Sequence, residues 1–242
     1  MKKVFLAGAS GVIGIRVCKI LLQKGGYEIY GTTRSEQKAK ILKDMGVKPV
    51  IVDVFDADKL EDEMMDIRPD IVLHQLTDLP SGLPADKMPQ ALVRNARIRD
   101  EGTRNLVNAS VKSGAKKIIS QSIAFVYEPN DKPFTEDSKL LNFKNKEYGE
   151  TSEAIYSLEQ QTINAPFVGI VLRNGWLYGD DTGFDAAVEG LACVHVDAAA
   201  NAVVLAMEYD KSSIFNIVDE DDAKTPSLKA VKELGWSDKF RL

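Results

Sequence analysis

The stretch Gly8-Ala9-Ser10-Gly11-Val12-Ile13-Gly14 decides how this chain is read. An apolar run, residues 4–8 (VFLAG), leads into it, and residues 12–24 continue from it with helical periodicity. A glycine pattern set between a strand and a helix is a phosphate-binding turn, and each glycine has a physical task. Gly8 permits the tight turn. Gly11 leaves no Cβ in the path of a pyrophosphate. Gly14 lets the helix pack closely on the strand. Around Ser10, Val12 and Ile13 the helix start offers unpaired N–H groups and the positive end of the helix dipole. The motif therefore predicts a bound dinucleotide.

The second strand decides which dinucleotide. An NAD site usually places Asp or Glu about 20 residues beyond the motif, against the ribose hydroxyls. At that distance from Gly14 stands Arg34, in Gly31-Thr32-Thr33-Arg34-Ser35. A carboxylate there would repel a 2′-phosphate, whereas a guanidinium can pair with it bidentately. The reading is NADP rather than NAD, the alternative being a solvated arginine at a helix start. Asp53 ends the third strand, where it could accept from an adenine amino group or order its own loop.

Working outward, short apolar runs at 27–32, 48–53, 70–76 and 116–122 alternate with helical stretches at 35–45, 57–66 and 88–113. A helix at 147–164, a strand at 167–173, a helix at 197–209, a strand at 213–218 and a helix at 227–235 follow. This alternation predicts an α/β fold, a doubly wound Rossmann-like parallel sheet with helices on both faces. No linker divides the chain. Residues 1–242 are read as one NAD(P)-binding domain, with a small C-terminal substrate-side lid at about 174–197 and 219–242. Long polar loops at 79–89 and 128–145 follow strands, at the edge where open α/β sheets bind ligands.

Composition bounds the partners. The 242 residues carry 31 Lys plus Arg against 36 Asp plus Glu, a net charge of −5. That disfavours non-specific nucleic-acid binding, which needs a basic face. No apolar run reaches membrane-span length, so neither nucleic acid nor membrane is expected as a partner. The two cysteines, Cys18 and Cys193, have no CxxC partner and are read as core thiols. No metal site is expected, and a reducing cytoplasm fits.

Six segments in order resemble the extended short-chain dehydrogenase/reductase family, the NAD-dependent epimerase/dehydratases. GASGVIG is similar to that family's G-x-x-G-x-x-G. DIVLHQLT (70–77), EGTRNLVNAS (101–110), KKIISQSIAFVYE (116–128), VLRNGWLYG (171–179) and VHVDAAANAV (194–203) are similar to its later motifs. The resemblance covers about residues 2–235. It implies a nicotinamide cofactor, a small-molecule substrate, often a nucleotide-sugar, and a homodimer paired through helices 88–113 and 147–164. The expected cofactor contacts are Gly8, Ser10, Gly11, Val12, Ile13, Gly14, Thr33, Arg34, Ser35, Asp53, Val54, Leu76, Thr77, Gln121 and Asn174.

The family's chemistry uses a Ser/Thr, a Tyr and a Lys, the Lys ammonium lowering the Tyr pKa. Here the sequence departs from that pattern. Counting four residues back from Tyr127 gives Ile123, and Ser122 is one residue off, on the other face of a strand. Matching a tyrosine for Tyr-x-x-x-Lys gives Tyr156 and Gln160. Matching helix length back from Arg173 makes Glu159 the family's later helix Glu, and then Thr151 and Ile155 occupy the Tyr and Lys positions. The second alignment is preferred, since it needs no shortened helix. Candidate catalytic residues are Ser122, Tyr148 and Tyr156, with His74, Tyr127 and Glu150 also near the carboxyl edge. His195 is read as ordering the chain before a helix that Asp197 caps. Family members usually place a sizeable insertion between Tyr178 and His195, and only a short segment stands here. The leading expectation is an NADP-binding oxidoreductase or epimerase-like enzyme for a small carbonyl or sugar-type substrate. The competing one is a non-catalytic NADP-sensing regulator or scaffold.

Overall fold

The computed structural model describes residues 1–80, 82–129, 132–220 and 224–242. The loops expected at 79–89 and 128–145 and the lid segment 219–242 thus each include positions outside the described residues. Strands β1 (Lys2–Ala7), β2 (Tyr27–Thr33), β3 (Lys48–Ile51), β4 (Ile71–His74), β5 (Lys117–Ile123), β6 (Val168–Asn174) and β9 (Ser213–Ile217) form one parallel sheet in the order β3-β2-β1-β4-β5-β6-β9. A separate ribbon pairs β7 (Trp176–Tyr178) with β8 (Cys193–His195).

The helices are α1 (Val12–Lys24), α2 (Glu36–Asp44), α3 (Ala57–Ile67), α4 (Met88–Arg97), α5 (Thr103–Ser113), α6 (Gly149–Ile163), α7 (Val196–Ala206) and α8 (Leu228–Leu234). A π-helical turn, Ile98–Gly102, joins α4 to α5, so the helix expected over 88–113 is interrupted where a single regular one was read. Strand β1 shows why two layers of helices are needed. Val4 and Leu6 face one core, with Val17 and Leu21 of α1 and Ala199 and Val203 of α7. Phe5 and Ala7 face the other, with Leu60 and Met64 of α3 and Leu106 of α5. The alternation follows from the period of two along a strand. The chain order reverses between β1 and β4, which opens a crevice at the carboxyl ends of the strands.

One cap differs from expectation. His195, not Asp197, caps α7: its Nδ1 accepts the backbone N–H of Asp197 at 3.2 Å. The Asp197 carboxylate instead accepts from Arg16 Nε of α1 at 2.8 Å. It also accepts the backbone N–H of Leu242 at 3.1 Å, tying the end of the chain to the α1–α7 contact. Both cysteines are buried, and neither is in a disulfide among the described residues. Among the described residues no helix is long and apolar enough to cross a membrane.

Candidate active site

The turn from β1 into α1 is built by exclusion. Gly8 sits at φ +89°, and a Cβ there would lie 2.6 Å from the Gln75 carbonyl oxygen. A Cβ on Gly14 would lie 2.2 Å from the Gly8 carbonyl oxygen. Both contacts are with backbone, so neither can relax by a rotamer change. Unlike α2, capped by Ser35, and α3, capped by Asp56, α1 starts at Gly11 with no side-chain cap and no acidic residue in its first turn. Its first N–H groups are therefore left for an external anion.

Beside this turn lies a cleft of about 300 Å³. Of the expected cofactor contacts, Gly8, Ser10, Gly11, Thr33, Arg34, Ser35, Asp53, Val54, Leu76 and Thr77 line it. Val12, Ile13 and Gly14 form the first turn of α1. Gln121 and Asn174 stand apart from the cleft, near the carboxyl ends of β5 and β6. Lys38 and Gln75 are among the lining residues not expected from the sequence. Lys38 lies one turn into α2, its backbone N–H bonded to the Ser35 hydroxyl at 3.4 Å. An Arg followed by a capping Ser and, three residues on, a Lys was the available signal. Gln75 is buried, and both polar atoms of its amide lack a partner. Both amide atoms of Asn174 are likewise unpartnered.

Arg34 is 60% exposed and stands 3.7 Å from Asp53 and 3.9 Å from Asp78, long and unhydrogen-bonded contacts. It is therefore free to turn toward a ligand. Asp53 accepts the backbone N–H of Phe55 at 3.0 Å, the loop-ordering role that the sequence left open.

The three expected catalytic residues stand in different settings. Ser122 is buried, and its hydroxyl donates to Glu159 at 2.7 Å. The face inversion follows from strand parity, because Gln121 and Ile123 point to the opposite side from Ser122. Tyr156 is about half-exposed on α6 and packs against Phe143, ring centroids 5.6 Å apart. Tyr148, at the start of α6, keeps an accessible phenol, whose pKa is raised by its hydrogen bond to Glu147. Glu150 is exposed. Thr151 and Ile155 are both buried. Arg173 binds Glu159 through Nε and Nη2 at 2.8 and 2.7 Å, in keeping with the alignment that placed Glu159 by helix length. Tyr127 is buried in the same network. It accepts from Arg173 and donates to Asn216, and burial pushes its pKa up to about 12.

His74 is fully enclosed. Its Nδ1 accepts the Leu76 N–H at 3.4 Å and its Nε2 lies 3.0 Å from the Thr103 hydroxyl, the pattern of a neutral ring donating through Nε2. Burial first, and the charge of Arg99 second, hold its pKa down from 6.5 to about 4. The unfolded chain thus takes up a proton near 6.5 and the native one only near 4. Between those values the unfolded state binds more protons, so stability must fall as pH drops, by ~3 kcal/mol over the whole window. His74→Gln is expected to flatten that slope in urea titrations run above pH 6.5 and near pH 4. An unchanged slope would show that His74 contributes nothing to it.

Comparisons with known proteins place this geometry. The model of the NAD dependent epimerase/dehydratase family matches residues 4–192. A 3-diazoavenalumate denitrifying reductase from a Streptomyces species is 31% identical over 241 residues, covering 91% of this chain and 77% of the relative. A decarboxylating sterol-4-alpha-carboxylate 3-dehydrogenase from Dictyostelium discoideum is 26% identical, covering 93% and 73%. Among solved structures, the Bacillus cereus UDP-glucuronic acid 4-epimerase in complex with UDP-glucuronic acid and NAD shares the fold. Its TM-score is 0.77 at 17% identity, over 99% of this chain and 95% of that one.

Proposed function

Because the chain belongs to the NAD dependent epimerase/dehydratase family, we propose that it is an NADP-dependent oxidoreductase acting on a small substrate without the usual Tyr-Lys pair. Membership makes it an NAD(P)-dependent enzyme of the oxidoreductase/epimerase type, which sets aside the scaffold reading. The observation that carries the choice of NADP is the cluster of Arg34, Ser35 and Lys38 on the cleft wall, where an NAD site needs a carboxylate.

The residues fit the dinucleotide. The Gly8 turn is a cradle that a Cβ would fill, and Gln75 of the cleft wall has both amide atoms buried and unpartnered. The N–H groups at the start of α1 would hold the pyrophosphate, and Arg34 with Lys38 the 2′-phosphate. When bound, the nicotinamide supplies or accepts hydride. The chain's own part is then to position the substrate and move the proton. The accessible phenol of Tyr148, held protonated by Glu147, is suited to donate that proton rather than to abstract one.

The small β7–β8 ribbon supports a small lid and a small substrate. Phe125, Trp176 and Phe184 stand in a row, with centroid separations of 5.8 and 5.5 Å, a wall suited to a planar or apolar molecule. A reductive direction accords with the Streptomyces relative, named as a denitrifying reductase. A homodimer through α4–α6 is supported by exposed Val93, Val111 and Tyr156, and the mass in solution decides it. Two buried cysteines outside any disulfide among the described residues fit a cytoplasmic location.

The test is a titration with NADPH and NADH. A lost charge-assisted contact is worth ~1.5–3 kcal/mol, so Arg34→Ala should lose about ten- to a hundredfold in NADPH affinity with little change for NADH. Lys38→Ala should act in the same direction and less strongly. Equal affinities in the unaltered protein would sink the NADP reading.

A further inference from the structure

Arg94, Arg97, Arg99 and Arg104 lie along the helix that runs from α4 through the π turn into α5. Three of them are half-exposed, and each has a carboxylate partner: Asp78 at 3.3 Å for Arg94, Glu101 at 2.6 Å for Arg97 and Asp100 at 3.4 Å for Arg104. Arg99 is different. It is 7% exposed and makes no hydrogen bond or ion pair among the described residues. The π turn that carries it is fixed on α6 by its neighbour. Asp100 accepts from Ser157 at 2.6 Å through its carboxylate and from Gln161 at 3.1 Å through its backbone carbonyl.

Of the groups within electrostatic reach of Arg99, only Glu159 favours its charge among the described residues, and it does so without a direct contact. His74 is neutral. Glu159 is already committed to Arg173 and Ser122. Polar groups without partners gather at the same edge of the sheet. Asn95, one turn before Arg99, has a buried unpartnered Nδ2, and Gln75 directly follows His74. Ile98, the preceding residue, lines the dinucleotide cleft. A dinucleotide entering along Gly8 and Gln75 would extend past this edge toward β5 and β6. A cation with little access to solvent and no partner is costly, and Arg99 directly follows Ile98 of the cleft wall.

We propose that Arg99 faces the nicotinamide end of the bound dinucleotide and makes this site select the reduced form over the oxidised one. The inference rests on the dinucleotide reading above. NADPH and NADP⁺ share their phosphates, riboses and adenine, and every interaction with those parts cancels in the comparison. What differs is the nicotinamide ring, neutral when reduced and cationic when oxidised. A fixed buried cation beside that ring repels only the oxidised form.

Titration calorimetry with NADPH and with NADP⁺, on the unaltered protein and on Arg99→Gln and Arg99→Lys, tests this. The unaltered protein should bind NADPH about tenfold more tightly, or more. Arg99→Gln should bring the two affinities toward equality, chiefly by tightening NADP⁺, and Arg99→Lys should retain the preference. Arg99→Gln should also melt no lower than the unaltered protein, since it removes an uncompensated charge. A ratio near one in the unaltered protein overturns the proposal, as does a ratio unchanged in Arg99→Gln or a lowered melting temperature; the dinucleotide reading survives all three. Failure of both nucleotides to bind the unaltered protein is a separate result, and it removes the dinucleotide reading and this inference together.

Discussion

Gly14→Ala is expected to abolish measurable dinucleotide binding and to lower the free energy of unfolding by ~1–3 kcal/mol or more. The added Cβ would lie 2.2 Å from the Gly8 carbonyl oxygen and 2.8 Å from the Ala9 Cα. Both are backbone atoms, so α1 must move off the strand, carrying its N-terminal N–H groups with it. Gly8→Ala meets the Gln75 carbonyl at 2.6 Å and adds the strain of φ +89°, so it should behave alike. Gly11→Ala separates the two effects. Its φ of −84° suits any residue, and the Cβ approaches the Gly8 carbonyl only to 3.3 Å. Stability should then change little while affinity falls, because the methyl group occupies the approach of the pyrophosphate. Gly114→Ala, with a φ of +79° and nothing within 4 Å, should cost about 1–2 kcal/mol and leave binding intact. Urea unfolding and NADPH titration on the four variants check the pattern. Retained binding in Gly14→Ala would mean that the turn is not the phosphate site.

The glycine turn was legible because it is backbone chemistry, and backbone chemistry leaves residue types in the sequence. The parallel sheet was legible for a similar reason: runs such as Val50-Ile51-Val52 and Ile71-Val72-Leu73 read as strands enclosed between two layers. Strands β7 and β8 were not, since three residues are too few to show a period. The catalytic half is less legible. Whether Ser122 or Ile123 faces the ligand is a matter of parity, and one residue reverses it. Arg99 could not be told from Arg97 or Arg104 by sequence, because a π turn breaks the 3.6-residue register from which burial is inferred. The orphaned amides of Gln75 and Asn174 become visible only when every neighbour has been placed.

Glu159→Ala is expected to cost ~3–5 kcal/mol of stability, a large part of the ~5–15 kcal/mol that holds a typical domain folded. The residues around it form a single row across the sheet, Ser122 of β5 opposite Arg173 of β6 and Arg173 opposite Asn216 of β9. Glu159 reaches this row from α6 and carries the negative charge of a pair that is 3–4% exposed on both sides. Without it, the hydrogen bonds left to Arg173 among the described residues are to the Tyr127 hydroxyl at 3.0 Å and the Glu136 carbonyl at 3.1 Å, neither of which neutralises it. The penalty is that of a stranded charge, not the worth of the pair. Glu159→Met combined with Arg173→Leu should therefore recover most of the loss, since burying a matched ion pair gains little over apolar packing. Ser122→Ala removes one hydrogen bond and should cost only about 1–3 kcal/mol. It should also leave NADPH affinity unchanged, because that hydroxyl faces α6 and not the cleft. Chemical unfolding of the four proteins decides between the readings. A double variant as unstable as Glu159→Ala would show that the network contributes specific geometry to the β5–β6 edge beyond charge balance.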